Sequence, residues 1–158
     1  MHFSKAHGLA LTALCALSTG TPLARRDITA FPAGTIWDIV LDGSKTDLAA
    51  KKAAPGSVID IDLEDNWKGG SLTTIKELAK TKKVICYFSA GTRESWRDDD
   101  SKFTPADYGQ PMGPEWPDEW WLDVKSTNVR KIMRERIEAA AKAGCHAVDP
   151  DNVDGYVS

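Results

Sequence analysis

Three closely spaced carboxylates near the C-terminal end carry the clearest chemical signal in this chain. In the run Gly144-Cys145-His146-Ala147-Val148-Asp149-Pro150-Asp151-Asn152-Val153-Asp154-Gly155-Tyr156 a short apolar stretch leads into Asp149, Asp151 and Asp154, then a tyrosine. Calcium is one candidate chemistry. An EF-hand loop needs acids at alternating positions, a glycine, and a later glutamate. Here the third acid falls one residue late and no glutamate follows at the required place, so the spacing argues against it. Glycoside hydrolysis is the second candidate. It needs two carboxyl groups, one protonating the leaving oxygen and one acting as nucleophile or base, with pKa values pushed apart by their surroundings. The third is structural, with strand-end acids capping helices or pairing with Arg97. The residue types alone leave the second and third open.

The elements around this run predict an α/β fold. Residues 35–41 form a β-branched strand, and a short helix over 47–53 stops at Pro55-Gly56. In the second strand, 57–63, acids alternate with Ile and Leu, so Asp60 and Asp62 share one face. Ser71 is the expected N-cap of a helix carrying Leu72, Ile75, Leu78 and Ala79. The third strand, 84–89, is apolar without alternation, as in parallel sheets covered on both faces. Residues 90–118 are rich in Pro and Gly and predict one long loop, with Asp98-Asp99-Asp100 as a solvated turn. An extended segment over 120–124 carries the acid Asp123, and a helix follows over 128–143. Its apolar face is Val129, Ile132, Met133, Ile137, Ala140 and Ala141, and Gly144 ends it. The last strand returns to the acidic run. Strands alternating with helices imply a parallel sheet. Its C-terminal ends would then bring together Asp60 and Asp62, Tyr87 and Ser89, and Asp149, Asp151 and Asp154.

Composition narrows the partners. The chain has 158 residues, enough for about one domain. Residues 1–26 hold three of the 20 basic residues and no acid, and without them 17 basic residues face 23 acidic ones. That balance disfavours nucleic acid and suits a cationic or neutral partner. Residues 1–26 read as a signal peptide. They have a weakly basic start, an apolar run from Leu9 to Leu17 too short to span a bilayer, small residues, and a dibasic Arg25-Arg26. The expectation is a secreted, extracellular protein with no membrane association after signal removal. Cys86 and Cys145 remain in the mature part, either paired or, as the plainer expectation, as two small buried thiols. No Cys/His spacing suits zinc, and no metal or cofactor is expected. Trp67, Trp96, Trp116 and Trp120 stand in loop-like surroundings. They suit either sugar stacking or, as the simpler expectation, packing under long loops.

Several segments together resemble glycoside hydrolase family 114, the secreted endo-α-1,4-polygalactosaminidases. They are Asp60-Ile61-Asp62-Leu63, Lys83 to Gly91 with Trp96-Arg97, Trp121-Leu122-Asp123-Val124, and Gly144-Cys145 through Asp149-Pro150-Asp151-Asn152-Val153-Asp154-Gly155-Tyr156. The likeness runs from about Trp37 to Tyr156. It implies a TIM-type (β/α) barrel acting on polymers of α-1,4-linked galactosamine, which are cationic when deacetylated and so match the acidic mouth. It implies Asp151 as nucleophile and Asp149 as a supporting acid. It further implies Asp60, Asp62, Tyr87, Ser89, Asp123, Asn152, Asp154 and Tyr156 as residues lining the cleft. Asp38 and Val40 depart from the family, which favours glutamine in the first strand, and His146 replaces an acid. A full barrel takes roughly 250 residues and eight strands, whereas residues 27–158 predict four. The expectation is therefore an incomplete barrel comprising the first four strand-helix units, with the family's acid/base glutamate on a later strand. Such a half should be poorly stable and weakly active or inactive alone, and a monomer when full length. The competing expectations are a non-catalytic remnant that binds a sugar polymer and an unrelated secreted structural domain.

Overall fold

The computed structural model describes residues 31–41, 47–66 and 73–155. The leader, Trp67, Ser71 and Tyr156 lie outside the described residues. The chain runs β1 (Trp37–Val40), α1 (Leu48–Ala53), β2 (Val58–Asp62), α2 (Thr73–Leu78) and β3 (Lys83–Ser89). After an inserted sheet come α3 (Thr127–Ala143) and β7 (Ala147–Asp151). β1, β2, β3 and β7 form one sheet in that order, with every pair parallel.

Local chemistry sets the helix ends. The Asp47 carboxylate accepts the Ala50 amide at 2.7 Å and opens α1. Ser126 Oγ accepts the amides of Asn128 and Val129 and opens α3. Behind that cap stands Asp107, which accepts hydrogen bonds from Ser126, Thr104 and Asn128. These bonds, led by that from Ser126, hold its carboxyl well below the usual range. Gly144 ends α3 with φ of 101°, a left-handed conformation that costs glycine little. Asp38, one of the two first-strand departures, has a structural partner: its Oδ2 accepts the Gly56 amide at 2.7 Å.

Strand register divides the sheet into two faces. Asp62 pairs with Tyr87, Tyr87 with Asp149, and Ser89 with Asp151, so these side chains share the open face with Asp60. Ile59, Ile61, Val84 and Cys86 point the other way. They form the core with Leu63, Ile75, Leu78, Ala140 and Ala143. Each such fully buried aliphatic side chain contributes about 1.5–3 kcal/mol. The helices α2 and α3 thus cover one face of the sheet, and the acids occupy the other.

Four sequence expectations are corrected. Residues 90–118 are not one loop. They hold β4 (Thr92–Glu94), a 3-10 turn at Asp100–Lys102, β5 (Tyr108–Gly113) and the start of β6 (Trp116–Leu122). These strands form an antiparallel sheet in the order β4-β6-β5. Pro111 is tolerated because β5 is an edge strand. Pro117 precedes the stretch of β6 that pairs with β4. Second, Cys86 and Cys145 are not free thiols. They form a disulfide with Cα atoms 6.0 Å apart, because the left-handed turn at Gly144 delivers Cys145 onto the outward face of β3. Third, the acidic run is not merely a solvated turn. Asp99 accepts from Arg136 Nη2 and Nε at 2.7 and 2.8 Å, and Asp100 pairs with Arg93 at 2.6 Å. Arg136, whose guanidinium also donates to the Ser89 carbonyl, is buried on α3, while Ile137 is exposed. Fourth, packing describes Trp120, which lies beside Tyr108 with the Arg93 guanidinium 4.8 and 4.6 Å from the two rings. It does not describe Trp96 and Trp116, which are 47% and 53% exposed.

Candidate active site

The open face of β2, β3 and β7 presents its polar side chains in rows. Asp60 stands lowest, in register with Ile39 on one side and Ile85 on the other. Asp62, Tyr87 and Asp149 form the next row, and Ser89 and Asp151 the row above. The parallel sheet therefore gathers residues that are far apart in sequence at one strand-end rim.

The rows differ in their surroundings. Asp60 is buried, and its Oδ1 has no hydrogen-bond partner. Burial first, then the hydrogen bond and charge of Asp149, push its carboxyl up to about 7, against a smaller opposing effect of the Ile61 amide. Burial and the neighbouring Asp149 thus favour the protonated form of Asp60 over the charged one. Asp62 faces a different neighbour. Its two oxygens accept from Arg97 at 2.9 and 2.8 Å, and Arg97 also donates twice to Glu94, both at 2.8 Å. All three groups are buried, and the partly exposed Glu64 approaches Arg97 Nε at 3.5 Å, so they form an ion cluster beneath the rim. Burial raises Glu94 despite the opposing Arg97 charge.

Asp151 is exposed at the top of β7 and accepts a hydrogen bond from the Tyr87 hydroxyl at 2.8 Å. Burial, and next the Asp151 bond and charge, raise the Tyr87 phenol, with Glu94 and Glu119 adding to the effect. The phenol therefore stays a neutral donor. The Asp151 carbonyl accepts the amides of Ala90 and Gly91 at 2.9 and 3.2 Å. A Cβ on Gly91 would come within 1.7 Å of the Asn152 carbonyl oxygen, so only glycine permits this approach. Asn152 itself has φ of 59°. Its side chain donates to Ser89 Oγ at 3.0 Å and to Thr92 Oγ1 at 3.4 Å.

The structure brings together Asp60, Asp62, Tyr87, Ser89, Asp149, Asp151 and Asn152. Ser89 is fully buried, so its hydroxyl serves neighbours within the protein. Asp123 lies apart, exposed in the turn before α3, where its carboxylate accepts the Lys125 amide. Asp154 is exposed in the turn after β7, and the adjoining Gly155 packs against the Trp121 ring. Tyr156 is outside the described residues. Sequence reasoning assigned no role to Thr92 and Glu119: Thr92 stands in the stretch 90–118 read as loop, and Glu119 directly follows it. The Thr92-Arg93-Glu94 segment after Gly91, with Trp120-Trp121-Leu122 as its partner, was the available sign of a strand pair. Among the described residues no three His, Cys, Asp or Glu side chains group as metal ligands.

A carboxylate held by a neutral phenol, beside a buried carboxyl whose surroundings favour its proton, places acids in two different environments at one rim. Comparison with known proteins points the same way. The family model for glycoside-hydrolase family GH114 matches residues 18–158. The crystal structure of Aspergillus fumigatus Ega3 in complex with galactosamine matches with 43% identity and a TM-score of 0.69. That match covers 79% of this chain and 47% of Ega3. The glycoside hydrolase domain of PelA from Pseudomonas aeruginosa shares the fold, with 12% identity and a TM-score of 0.59, over 80% of this chain and 47% of that one. The chain thus spans about half the length of the solved structures it matches, as an incomplete barrel does. No curated protein sequence matches it. With the model match covering most of its length, the chain belongs to glycoside-hydrolase family 114.

Proposed function

We propose that this chain carries the nucleophile-bearing half of a secreted hydrolase that cleaves within polymers of α-1,4-linked galactosamine. The observation that carries the reading is the Asp151 carboxylate, exposed on the rim and held by the Tyr87 hydroxyl at 2.8 Å. In this reading Asp151 is the nucleophile and Asp149 the supporting acid. Asp60 and Tyr87 complete the inner wall, while Asp154 extends the acidic border. An acidic rim attracts a polymer whose free amines are protonated, and the Ega3 structure contains galactosamine.

The second carboxyl group that glycoside hydrolysis requires comes from the remaining strands of a complete barrel. The four-strand unit alone is therefore a weak or inactive catalyst. Residues 1–26 act as the leader for export, residues 27–158 are the barrel half, and the complete enzyme works as a monomer. The Cys86–Cys145 disulfide suits an oxidising compartment. A second reading, a unit that binds the polymer without cleaving it, is favoured by the exposed Trp96 and Trp116 rings.

The test is to incubate the purified chain with de-N-acetylated galactosamine polymer, following both retention of the polymer and release of oligomers. Binding without release is the expected result. Rapid release of short oligomers by the chain alone overturns the half-enzyme reading. Absence of binding, with the chain shown to be folded, overturns both readings. Asp151→Asn in a completed barrel should abolish release, and retained activity would remove Asp151 from its role.

A further inference from the structure

A one-way chain of hydrogen bonds runs under the rim and ends beside Asp151. Glu119 is buried on β6, directly opposite Glu94 in the β4–β6 register. Its Oε2 accepts from Thr92 Oγ1 at 2.7 Å, so the single Thr92 hydroxyl proton points at Glu119. Thr92 Oγ1 is also 2.5 Å from Ser89 Oγ. With the Thr92 proton committed, the Ser89 hydroxyl must be the donor in that contact. Ser89 Oγ then has its lone pairs free to accept. It takes the Thr92 amide at 3.1 Å and the Asn152 side-chain amide at 3.0 Å. Both hydroxyls are fully buried, so water does not compete for these bonds.

What this chain grips is a residue in an unusual conformation. Asn152 is the only non-glycine with positive φ among the described residues. It directly follows Asp151, and the Gly91 backbone presses against its carbonyl. We propose that Asn152 is a positioning residue: the Glu119–Thr92–Ser89 chain holds its side-chain amide, and the resulting left-handed turn fixes the Asp151 carboxylate against Tyr87. That the fixed carboxylate performs chemistry rests on the reading above, whereas the fixing itself does not.

The Tyr87–Asp151 hydrogen bond provides a reporter in the chain without substrate. The chain is labelled with 13Cζ-tyrosine, giving three ring resonances to distinguish. Tyr87→Phe assigns the one that matters. Asn152→Asp keeps size and tolerance of positive φ, but replaces the donating amide with a carboxylate facing Ser89 and Glu119. Asn152→Gly relaxes the backbone and removes the grip. Thr92→Val removes the linking hydroxyl at nearly constant shape, and Thr92→Ser retains it. The expected result is a displaced Tyr87 resonance in Asn152→Asp, Asn152→Gly and Thr92→Val, with Thr92→Ser unchanged from wild type. An amide spectrum confirms folding of each variant. An unmoved Tyr87 resonance in folded Asn152→Gly and Thr92→Val overturns the proposal. So does Thr92→Ser moving as far as Thr92→Val. Should Asn152→Asp fail to fold, the other three decide. Hydrolysis plays no part in this measurement, so its outcome is independent of whether the chain cleaves sugar.

Discussion

Replacing Asp60 with asparagine should stabilise the chain at neutral and higher pH, although it removes a charge from a strongly acidic site. The folded protein keeps the Asp60 proton until about pH 7, whereas an unfolded chain releases it near 3.8. Between those values the folded state binds more protons than the unfolded one, so stability falls as pH rises through this window. It is fully present below the lower value and lost above the upper one. At 1.36 kcal/mol per pH unit, the wild-type chain loses about 4 kcal/mol at this one residue between pH 4 and 8. Asparagine has nearly the same shape and does not ionise, so it carries no such loss. Asp60→Asn should therefore match wild type near pH 4 and exceed it by about 2–4 kcal/mol at pH 8. Urea unfolding at half-unit pH intervals reads this directly. With a slope of about 1–3 kcal/mol per molar urea, the midpoint at pH 8 should rise by about 1–2 M. A variant less stable than wild type at pH 8, or one that keeps the wild-type slope between pH 4 and 7, would refute the raised Asp60 carboxyl.

Three other perturbations follow from the packing. Reducing the Cys86–Cys145 disulfide opens a loop of 59-residue separation, which by chain entropy should cost about 4 kcal/mol. Unfolding midpoints with and without reductant, and a Cys86→Ser/Cys145→Ser variant, test it; equal midpoints would show that the bond carries no stability. Gly91→Ala must push Asn152 aside and should cost about 1–3 kcal/mol, whereas Gly109→Ala meets nothing within 4 Å and serves as control. Equal unfolding midpoints for the two would contradict the close approach. Arg97→Met leaves Asp62 and Glu94 buried without their cation, at about 3–5 kcal/mol near pH 7. The loss should shrink towards acid pH, since burial already raises Glu94, and a pH-independent loss would argue against the ion cluster.

How far the sequence foretold this depends on how local each signal was. On β2, Asp60 and Asp62 alternate with Ile59 and Ile61, so the inward and outward faces were readable directly. On β3 both faces are apolar or aromatic, and the inward side of Tyr87 became clear only from its register with Asp62 and Asp149. Helix α3 was legible from Val129, Ile132 and Ala140, but Arg136 and Ile137 exchanged expected places. Arg136 is drawn inward by Asp99 and the Ser89 carbonyl, partners that only folding supplies. The inserted sheet was hidden because β4 has three residues and the flanking prolines read as loop punctuation. Glu119 and Thr92 were hidden with it. The disulfide depended on the angle at which α3 returns Cys145 to β3, which composition and spacing do not encode.

Height on the strand, rather than residue type, separates the acids into roles. Asp60 lies between Ile39 and Ile85, in the lowest row, where burial favours its protonated form. Asp62, one row higher, lies beside Arg97 and is matched by that cation. Asp151, higher again, is exposed and needs only the Tyr87 hydroxyl. Strand β1 has no acid on this face and instead exposes Trp37 and Ile39, so it contributes packing surface rather than chemistry. In the proposed complete barrel, further strands would cover those two side chains and draw water away from the Asp151 row. Closure would then strengthen the Tyr87–Asp151 contact, since a hydrogen bond to a charged group gains strength as its surroundings lose water. The same added strands that supply the second carboxyl group would therefore also sharpen the first.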